Sequence, residues 1–431
     1  MPVQEQERKQ NRLATTAMIG KMVDDHWQSI RTAPERGEKV AWCTGPLFIF
    51  AYAMGIKCHM HAGYCAYVGG RHAAPWLLDR AEEEGHLSET CCYHRMHMGV
   101  IKADVEKIKI PENIAKYVLP IPDLVLLMRL CTEHSHQIDS INRFLRYTIK
   151  KEVPVLAVDC CPAHYPEDIP HEVEFIKRQV KEEVIPGLEK FTGKKYNYDR
   201  LSELVQELKE TCTLRNECAE LMKHIPAPAS NFDMAVSMAP TIYLLGNPGN
   251  TDYFRRLKAE MQDRINKGIS GILPEEKYRI YFDGFMLWGW IGWFARKLVS
   301  YGANMIIGRY APLEMFPRPE LLDPNNPVDT IIEQHGYFMR MSVPEVGINL
   351  IPQWVKDYSI DGMIMHHSRT CRLWNIGQQD IIDEVEKKYG VPGLLMEADM
   401  LDPRFFSEAQ LDTRISAFFE MIDGRRRFRK G

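Results

Sequence analysis

Residues 361–372 read Asp-Gly-Met-Ile-Met-His-His-Ser-Arg-Thr-Cys-Arg, and this stretch decides the fold class. The apolar run from Asp361 to Met365 predicts a short buried strand. Two histidines, a serine, an arginine, a threonine and Cys371 follow it directly. Open α/β sheets carry their chemistry just outside the carboxyl ends of the strands. The stretch therefore predicts an α/β fold with the Cys371 thiol at a functional edge of a sheet.

Short apolar runs alternate with helical segments in both directions from this stretch. Such alternation predicts βαβ units and parallel sheets. Further strands are predicted at the start of Val40–Tyr52, where a turn and a helix follow, and at Lys57–Met60, Pro120–Met128, Val153–Asp159, Lys277–Phe282, Asn304–Gly308 and Val391–Glu397.

A change in composition divides these strands into two groups. Glu167–His224 is rich in Glu, Lys and Leu at helical spacing, and the proline-containing stretch Ile225–Ser230 after it predicts a linker. We therefore predict an α/β fold with two Rossmann- or flavodoxin-like parallel-sheet lobes and a helical segment. The predicted domains are an N-terminal helical segment (1–38), a first lobe (39–166), the helical segment with its linker (167–230) and a second lobe (231–431).

The composition is that of an ordinary soluble protein. The chain has 431 residues, 45% of them hydrophobic, with a formal net charge of −4, which argues against a dedicated nucleic-acid-binding protein. Met1–Arg12 is polar and charged, so no secretory signal is predicted. No apolar run reaches the roughly 18 residues that a membrane helix needs. We therefore expect a cytoplasmic protein with neither nucleic acid nor membrane as a partner.

Eleven cysteines are dispersed along the chain, and none of them forms a Cys-x-x-Cys pair. Zinc ribbons and thioredoxin-like motifs are therefore disfavoured. Five of the cysteines lie in an island between Cys43 and Cys92, about 280 residues before Cys371. If the fold brings the island to Cys371, a metal or cluster site results. If it does not, these are ordinary buried thiols, since free cysteine is a common buried hydrophobe.

Four stretches together carry a resemblance to a known family. Asp361–Arg372 is the first, and the second is Val391–Gln410 with the following Thr413-Arg414. The third is Gly85–Gly99, in which Cys91 is followed by Cys-Tyr-His-Arg, and the fourth is Glu276–Arg279 followed by Gly284 and Trp288. In this order they resemble the 2-hydroxyacyl-CoA dehydratases and benzoyl-CoA reductases.

The resemblance implies an iron–sulfur subunit in which three cysteines bind a 4Fe–4S cluster. Cys91 matches the family cysteine before the Tyr-x-Arg pattern, and Cys371 matches the late one. The third ligand is either Cys65 or Cys43, and the sequence leaves that choice open. The pairs Cys91-Cys92 and Cys160-Cys161 exceed the needs of one such cluster, so they are either spare core thiols or ligands of a larger or second iron–sulfur cluster.

Histidines are the candidate proton-transfer residues of the predicted site. Where family members carry a Pro-Glu-Asn-Tyr-like run, this chain has His61-Ala-Gly-Tyr64, so no acid–base role of that glutamate carries over. His59 and His61 lie there, and His367 lies just before Cys371. Histidine titrates near neutral pH and can donate or accept protons. A role in packing or in hydrogen bonding around the site is the alternative for each.

The resemblance leads to a benzoyl-CoA reductase-type subunit as the first prediction. Such an enzyme reduces an aryl-CoA thioester by single-electron transfer through a ketyl radical. The implied partners are a homologous second subunit, the CoA thioester and an ATP-hydrolysing iron–sulfur activator, which fits the lack of a Gly-x-x-x-x-Gly-Lys-Ser/Thr loop here. The alternatives are a 2-hydroxyacyl-CoA dehydratase subunit, a non-catalytic electron-relay subunit, and a zinc or thiol scaffold.

Overall fold

A computed structural model describes residues 12–107, 109–148, 150–160, 165–272, 275–311, 318–341 and 344–430 of the chain. The strands are β1 (Val40–Cys43), β2 (Lys57–Met60), β3 (Leu124–Arg129), β4 (Val155–Asp159), β5 (Tyr278–Asp283), β6 (Ala303–Ile307), β7 (Gly362–Ser368) and β8 (Gly393–Ala398).

The helices enclose these strands. They are α1 (Thr15–Arg31), α2 (Leu47–Ala53), α3 (His61–Gly69), α4 (Ala74–Glu82), α5 (Cys92–Glu106), α6 (Glu112–Ala115), α7 (Thr132–Thr148), α8 (Ile169–Gln179), α9 (Ile185–Thr192), α10 (Tyr198–Leu221), α11 (Asn231–Val236), α12 (Ala239–Ile242), α13 (Asn250–Lys267), α14 (Ile291–Ser300), α15 (Pro327–Met341), α16 (Pro344–Asp357), α17 (Arg372–Asn375), α18 (Gln378–Tyr389) and α19 (Glu408–Lys430).

The strands form two parallel sheets with the same connectivity. The first sheet has the order β2-β1-β3-β4 and the second has β6-β5-β7-β8. In each sheet, the first strand of the lobe lies between the second and the third. The chain therefore adds its second strand on one side of the first strand and its later strands on the other side, and the order reverses between the first and third strands. This is the flavodoxin-like order, and its ligand crevice lies at the carboxyl ends of the strands beside the reversal. The prediction of an α/β fold with two parallel-sheet lobes is confirmed.

Continuous apolar runs explain why both sheets are buried. Five of the six residues of β3 are buried, and all six residues of β5 are. Strands covered by helices on both faces require such runs rather than strict alternation. β7 continues past the predicted end at Met365 to Ser368, so His366 and His367 are strand residues rather than loop residues.

One helix of the first lobe is buried on almost every side. α5 has twelve buried residues among its fifteen, including His94, Arg95 and His97. It packs against α4 so closely that a Cβ atom at Gly99 would lie 1.9 Å from the Leu77 carbonyl oxygen. Glycine is therefore required where the two helices touch.

The predicted helical segment is present as α8, a turn of π-helix at Val180–Val184, α9 and α10. The stretch after α10 contains a cis Ile225–Pro226 peptide bond before α11 begins at Asn231. The domain boundaries at 38, 166 and 230 stay predictions. Among the described residues, no helix combines the length and the apolar character that a bilayer crossing demands.

Candidate metal centre

Three cysteines lie directly before the first residue of a helix. Cys91 precedes α5, Cys131 precedes α7 and Cys371 precedes α17. Cys131 follows the last residue of β3 by two positions, and Cys371 follows the last residue of β7 by three. β3 and β7 occupy the same place in their sheets, so Cys131 and Cys371 belong to equivalent strand–helix turns in the two lobes.

The thiols of these three residues, the cysteine triad, affect each other's ionisation. Burial raises the pKa of Cys91 well above its ordinary value, and the Cys371 and Cys131 thiols raise it further. Burial raises the pKa of Cys371 to about 12, with Cys131 adding to the effect. All three residues are half-buried. The fold thus brings a cysteine of the early island and a cysteine of the second lobe together with a third, Cys131.

Backbone N–H groups at the starts of α5 and α17 lower the pKa of the thiols that precede these helices. Those of Tyr93 and His94 lower the pKa of Cys91, and those of Leu373 and Trp374 lower the pKa of Cys371. An anionic sulfur at a helix N-terminus is stabilised in this way.

Cys131 is the most easily ionised thiol of the triad. Burial raises its pKa, but the His134 ring and the N–H groups of Glu133 and His134 outweigh burial, so the pKa lies below the ordinary value. Each of the three thiols therefore has helical N–H groups that favour its charged form.

Hydrogen bonds across the lobe interface fix the turns that carry Cys91 and Cys371. The Cys92 N–H donates to Thr370 Oγ1 over 3.1 Å, and the same hydroxyl donates to Asp399 Oδ2 over 2.7 Å. Asp399 also accepts the Thr370 N–H over 3.2 Å. Thr370 thus joins the start of α5 to the turn after β7.

An ion pair and an aromatic contact strengthen the same interface. Arg95 Nη2 lies 2.7 Å from Asp402 Oδ2, and both side chains are fully buried. Trp288 Nε1 donates to the Tyr93 hydroxyl over 2.7 Å. Arg95, Tyr93 and Cys92 all belong to α5, so the helix that begins after Cys91 is held by the second lobe at several points.

Of the other predicted ligands, Cys65 lies nearer the triad than Cys43 does. Burial and the Cys91 thiol raise the pKa of Cys65. Its Sγ lies 3.8 Å from His97 Nδ1 and 3.9 Å from the Tyr93 carbonyl oxygen. Cys43 is fully buried at the end of β1, where its thiol contacts that of Cys58. No described contact joins Cys43 to the triad.

Two of the predicted histidines form a buried group with His97. His59 Nε2 lies 3.0 Å from His97 Nε2, and the rings of His61 and His97 have centroids 4.2 Å apart. Burial lowers the pKa of His59, His61 and His97 well below the ordinary value, so all three are neutral at pH 7. His61 also contacts the His134 ring, with centroids 5.7 Å apart, and so lies beside the triad.

The third predicted histidine, His367, lies elsewhere. Its Nδ1 is 3.2 Å from Gln378 Oε1 at the start of α18. The neighbouring His366 is fully buried, with its Nδ1 2.5 Å from the Phe285 carbonyl oxygen. No described contact joins His367 to a cysteine of the triad. Its role in proton transfer stays a prediction.

Besides Cys91, the cysteine pairs contain Cys92, Cys160 and Cys161. Cys92 is fully buried and faces Asp399 and Thr370. Cys160 follows β4 directly, and Cys161 lies outside the described residues. A larger or second iron–sulfur cluster stays a prediction.

The residue that the sequence analysis missed is Cys131. The signal was present, because Cys131 follows the predicted strand Pro120–Met128 and precedes a helical segment. This is the same arrangement that identified Cys371. The third ligand was predicted instead among Cys43 and Cys65 of the early cysteine island. The spacing of cysteines along the chain does not show which strand ends lie close together in the fold.

Comparison with known proteins places the chain in a family. A family model described as 2-hydroxyglutaryl-CoA dehydratase, D-component, matches residues 49–422. The chain belongs to this family. The match confirms the resemblance drawn from the four sequence stretches, and with it an enzyme family that acts on CoA thioesters.

Individual relatives are similar over almost their whole length. The chain is 28% identical to the (R)-phenyllactyl-CoA dehydratase alpha subunit of Clostridium sporogenes, over 90% of this chain and 91% of that protein. It is 25% identical to a subunit of the benzoyl-CoA reductase of Thauera aromatica, over 94% of each. It is 24% identical to the (R)-2-hydroxyisocaproyl-CoA dehydratase alpha subunit of Clostridioides difficile, over 96% and 97%. These relatives are named as subunits, which indicates multi-subunit enzymes.

Proposed function

We propose that this chain is the cluster-binding subunit of a heteromeric enzyme that transfers electrons one at a time to a CoA thioester. In this proposal Cys91, Cys131 and Cys371 bind a 4Fe–4S cluster. The observation that carries it is the triad itself, in which thiols from both lobes affect each other's pKa at the carboxyl edges of the two sheets.

The triad fits such a cluster in number, chemistry and surroundings. Thiolates are the usual ligands of iron–sulfur clusters, and three of them leave one iron of a 4Fe–4S cluster open. The backbone N–H groups at the three helix starts favour the anionic sulfurs that ligation requires. When bound, the cluster supplies a single electron at low potential. The chain's own residues hold the three sulfurs and keep the two lobes together around them.

Cys131 is a better third ligand than Cys65 or Cys43. The Cys131 thiol raises the pKa of both Cys91 and Cys371. The pKa of Cys65 is raised by burial and by one thiol of the triad, that of Cys91. Cys65 is also fully buried among His97 and Tyr93, and Cys43 lies against Cys58. Cys131 is half-buried beside Cys91 and Cys371, whereas Cys65 is fully buried.

Reduction of an aryl-CoA thioester is our first proposal for the reaction, as predicted from the sequence. Dehydration of a 2-hydroxyacyl-CoA is the second candidate, and it is favoured by the similarity to two dehydratase alpha subunits. Both reactions begin with the same electron transfer to a thioester carbonyl. We further propose a homologous second subunit and an ATP-hydrolysing activator as partners. An electron-relay role without substrate binding would place the thioester on that second subunit.

Iron analysis of single variants tests the cluster proposal. We expect Cys131→Ser, purified without oxygen, to lose most of its iron and its iron–sulfur absorption. Cys212→Ser is the control, because Cys212 is a fully buried thiol on α10 whose pKa is affected by burial and by Arg215, and not by a cysteine of the triad in the described structure. Full iron content in Cys131→Ser, or loss in Cys65→Ser with retention in Cys131→Ser, would contradict the assignment.

Turnover assays separate the candidate reactions. The complete enzyme, with its partner subunit and activator, is supplied with benzoyl-CoA or with a 2-hydroxyacyl-CoA. Consumption of benzoyl-CoA with formation of a dienoyl product supports the first proposal, and formation of an enoyl-CoA supports the second. A complex that turns over one of these substrates, while a photoreactive CoA thioester labels only the partner subunit, points to the relay role.

A further inference from the structure

A second set of metal-binding side chains lies beside the cysteine triad. His61, Cys65 and His97 are all buried, and one potential ligand atom from each lies within 4.8 Å of the other two. His61 and Cys65 are four residues apart on α3, so they project from one face of that helix. His97 comes from α5, which packs against α3.

We propose that these residues form a binding site for a single Zn²⁺ ion, distinct from the triad. A four-coordinate zinc ion holds nitrogen at ~2.0–2.1 Å and sulfur at ~2.3 Å, so its ligand atoms lie roughly 3.2–3.8 Å apart. The Cys65 Sγ to His97 Nδ1 distance of 3.8 Å already matches. The remaining pairs require a movement on the order of 1 Å, which rotation of buried side chains can supply.

The Tyr93 carbonyl oxygen contacts all three side chains. It lies 2.8 Å from His97 Nδ1 and 3.9 Å from Cys65 Sγ, and it also interacts with the His61 ring. Zinc would replace the hydrogen on His97 Nδ1 that this carbonyl accepts, and the separation of 2.8 Å is too short for two ligands of one zinc ion. A water molecule would therefore take the fourth position.

In His61 and His97, the ring nitrogen Nε2, which would not bind the zinc ion, already has a polar neighbour. A metal-binding histidine almost always uses its second nitrogen to hydrogen-bond a neighbouring group, which fixes the ring. His97 Nε2 lies 3.0 Å from His59 Nε2, and His61 Nε2 lies 3.0 Å from Gln137 Nε2.

The buried side chain of Gln137 independently supports a zinc-bound state of this site. Its side chain is 1% exposed, and its Oε1 has no hydrogen-bond partner among the described residues. When zinc takes His61 Nδ1, His61 Nε2 carries a hydrogen and needs an acceptor. Half a turn of the Gln137 amide presents Oε1 for that purpose.

The charges of the site are suited to a divalent cation. Zinc binding removes the Cys65 thiol proton, so the site consists of one thiolate, two neutral imidazoles and a water molecule, and one proton is released. The two histidines are already neutral because burial lowers their pKa. The zinc would join α3 to α5, the helix that begins after Cys91. His61 would then be a ligand rather than a proton donor.

The test uses the full-length chain with Co²⁺ as a spectroscopic substitute for Zn²⁺. Cys91→Ser/Cys131→Ser/Cys371→Ser removes the triad, so any sulfur-to-cobalt charge-transfer band must come from another thiol. We expect one equivalent of Co²⁺ to give this band, and Cys65→Ser in the same background to abolish it. Cys58→Ser, another fully buried thiol of the first lobe, should leave it unchanged.

The affinity for Co²⁺ should fall at least tenfold in His97→Gln in the triad-free background. A triad-free chain with a native circular dichroism spectrum and no charge-transfer band would overturn the proposal. A band that survives Cys65→Ser would do the same.

A second measurement covers the case in which the triad-free chain does not fold. We compare zinc and iron in the chain with an intact triad and in its Cys65→Ser variant, after anaerobic purification from zinc-supplemented cells. Loss of one zinc per chain with unchanged iron supports the site, and equal zinc in both proteins overturns it. The iron content tests the cluster proposal separately, so failure of one assignment is distinguishable from failure of the other.

Discussion

Removal of the Thr370 hydroxyl should weaken the lobe interface and the cysteine triad together. Thr370→Val keeps the shape of the side chain but leaves the Cys92 N–H without its acceptor, and Thr370 is 3% exposed. A buried N–H without a partner costs about 1–3 kcal/mol, and a lost hydrogen bond to a carboxylate costs about 1.5–3 kcal/mol. Asp399 keeps its bonds from the N–H groups of Thr370, Leu401 and Asp402, so the second cost is reduced. We expect a loss of about 2–3 kcal/mol in the free energy of unfolding.

Urea denaturation of the metal-free chain and iron analysis of the loaded chain measure the two consequences. Thr241→Val is the matched control, because Thr241 is also fully buried and hydrogen-bonded but lies on α12, away from the triad. Both variants should lose stability, whereas only Thr370→Val should lose iron, since only Thr370 joins the turns of Cys91 and Cys371. A Thr370→Val protein within about 0.5 kcal/mol of the parent chain would refute the reasoning.

Two further predictions concern packing and pH. Gly99→Ala should lower the free energy of unfolding by about 1–3 kcal/mol, because the added Cβ meets the Leu77 carbonyl. Gly20→Ala on α1 is the control, because a Cβ there has no neighbouring atom within 4 Å. It should raise the free energy of unfolding by up to about 1 kcal/mol in the same urea assay. Burial raises the pKa of Asp402, but the neighbouring guanidinium groups, including that of Arg95, outweigh burial and hold it below its ordinary value. This carboxylate therefore stabilises the fold above the unfolded pKa of about 3.9, and the contribution disappears as pH falls through the lower folded pKa. The stability difference between the parent chain and Asp402→Asn should narrow between about pH 5 and pH 3, and a difference independent of pH would contradict this.

Local patterns predicted the strands well because each strand is a short apolar run with a turn signal beside it. Val40–Tyr52 separated correctly into β1 and α2, and Lys57–Met60 is β2. Strand order was harder to predict, because it depends on which runs pack together and not on any single run. The equal order of the two sheets therefore appears only in the structure.

The cysteine triad was only partly predictable for the same reason. The family pattern identified Cys91 and Cys371, whereas the sequence indicated only that Cys131 follows a predicted strand. The equivalence of Cys131 to Cys371 appears once β3 and β7 are seen to occupy the same place in their sheets. The burial of α5 was equally difficult to predict from the sequence. His94, Arg95 and His97 are polar residues at surface-like spacing, yet the second lobe and α3 cover them.

The sharing of the triad between lobes has a consequence for how the protein matures. Cys131 follows a strand of one parallel sheet and Cys371 follows a strand of the other, so a group bound to both cannot be inserted until the two halves of the chain have met. Its binding free energy then adds to the free energy that holds the halves together. Loss of the group should make the stretch Ile225–Ser230 between them more accessible to proteases. Cofactor insertion would thus act as the last step of tertiary assembly, and a loaded centre would report that both halves are correctly folded.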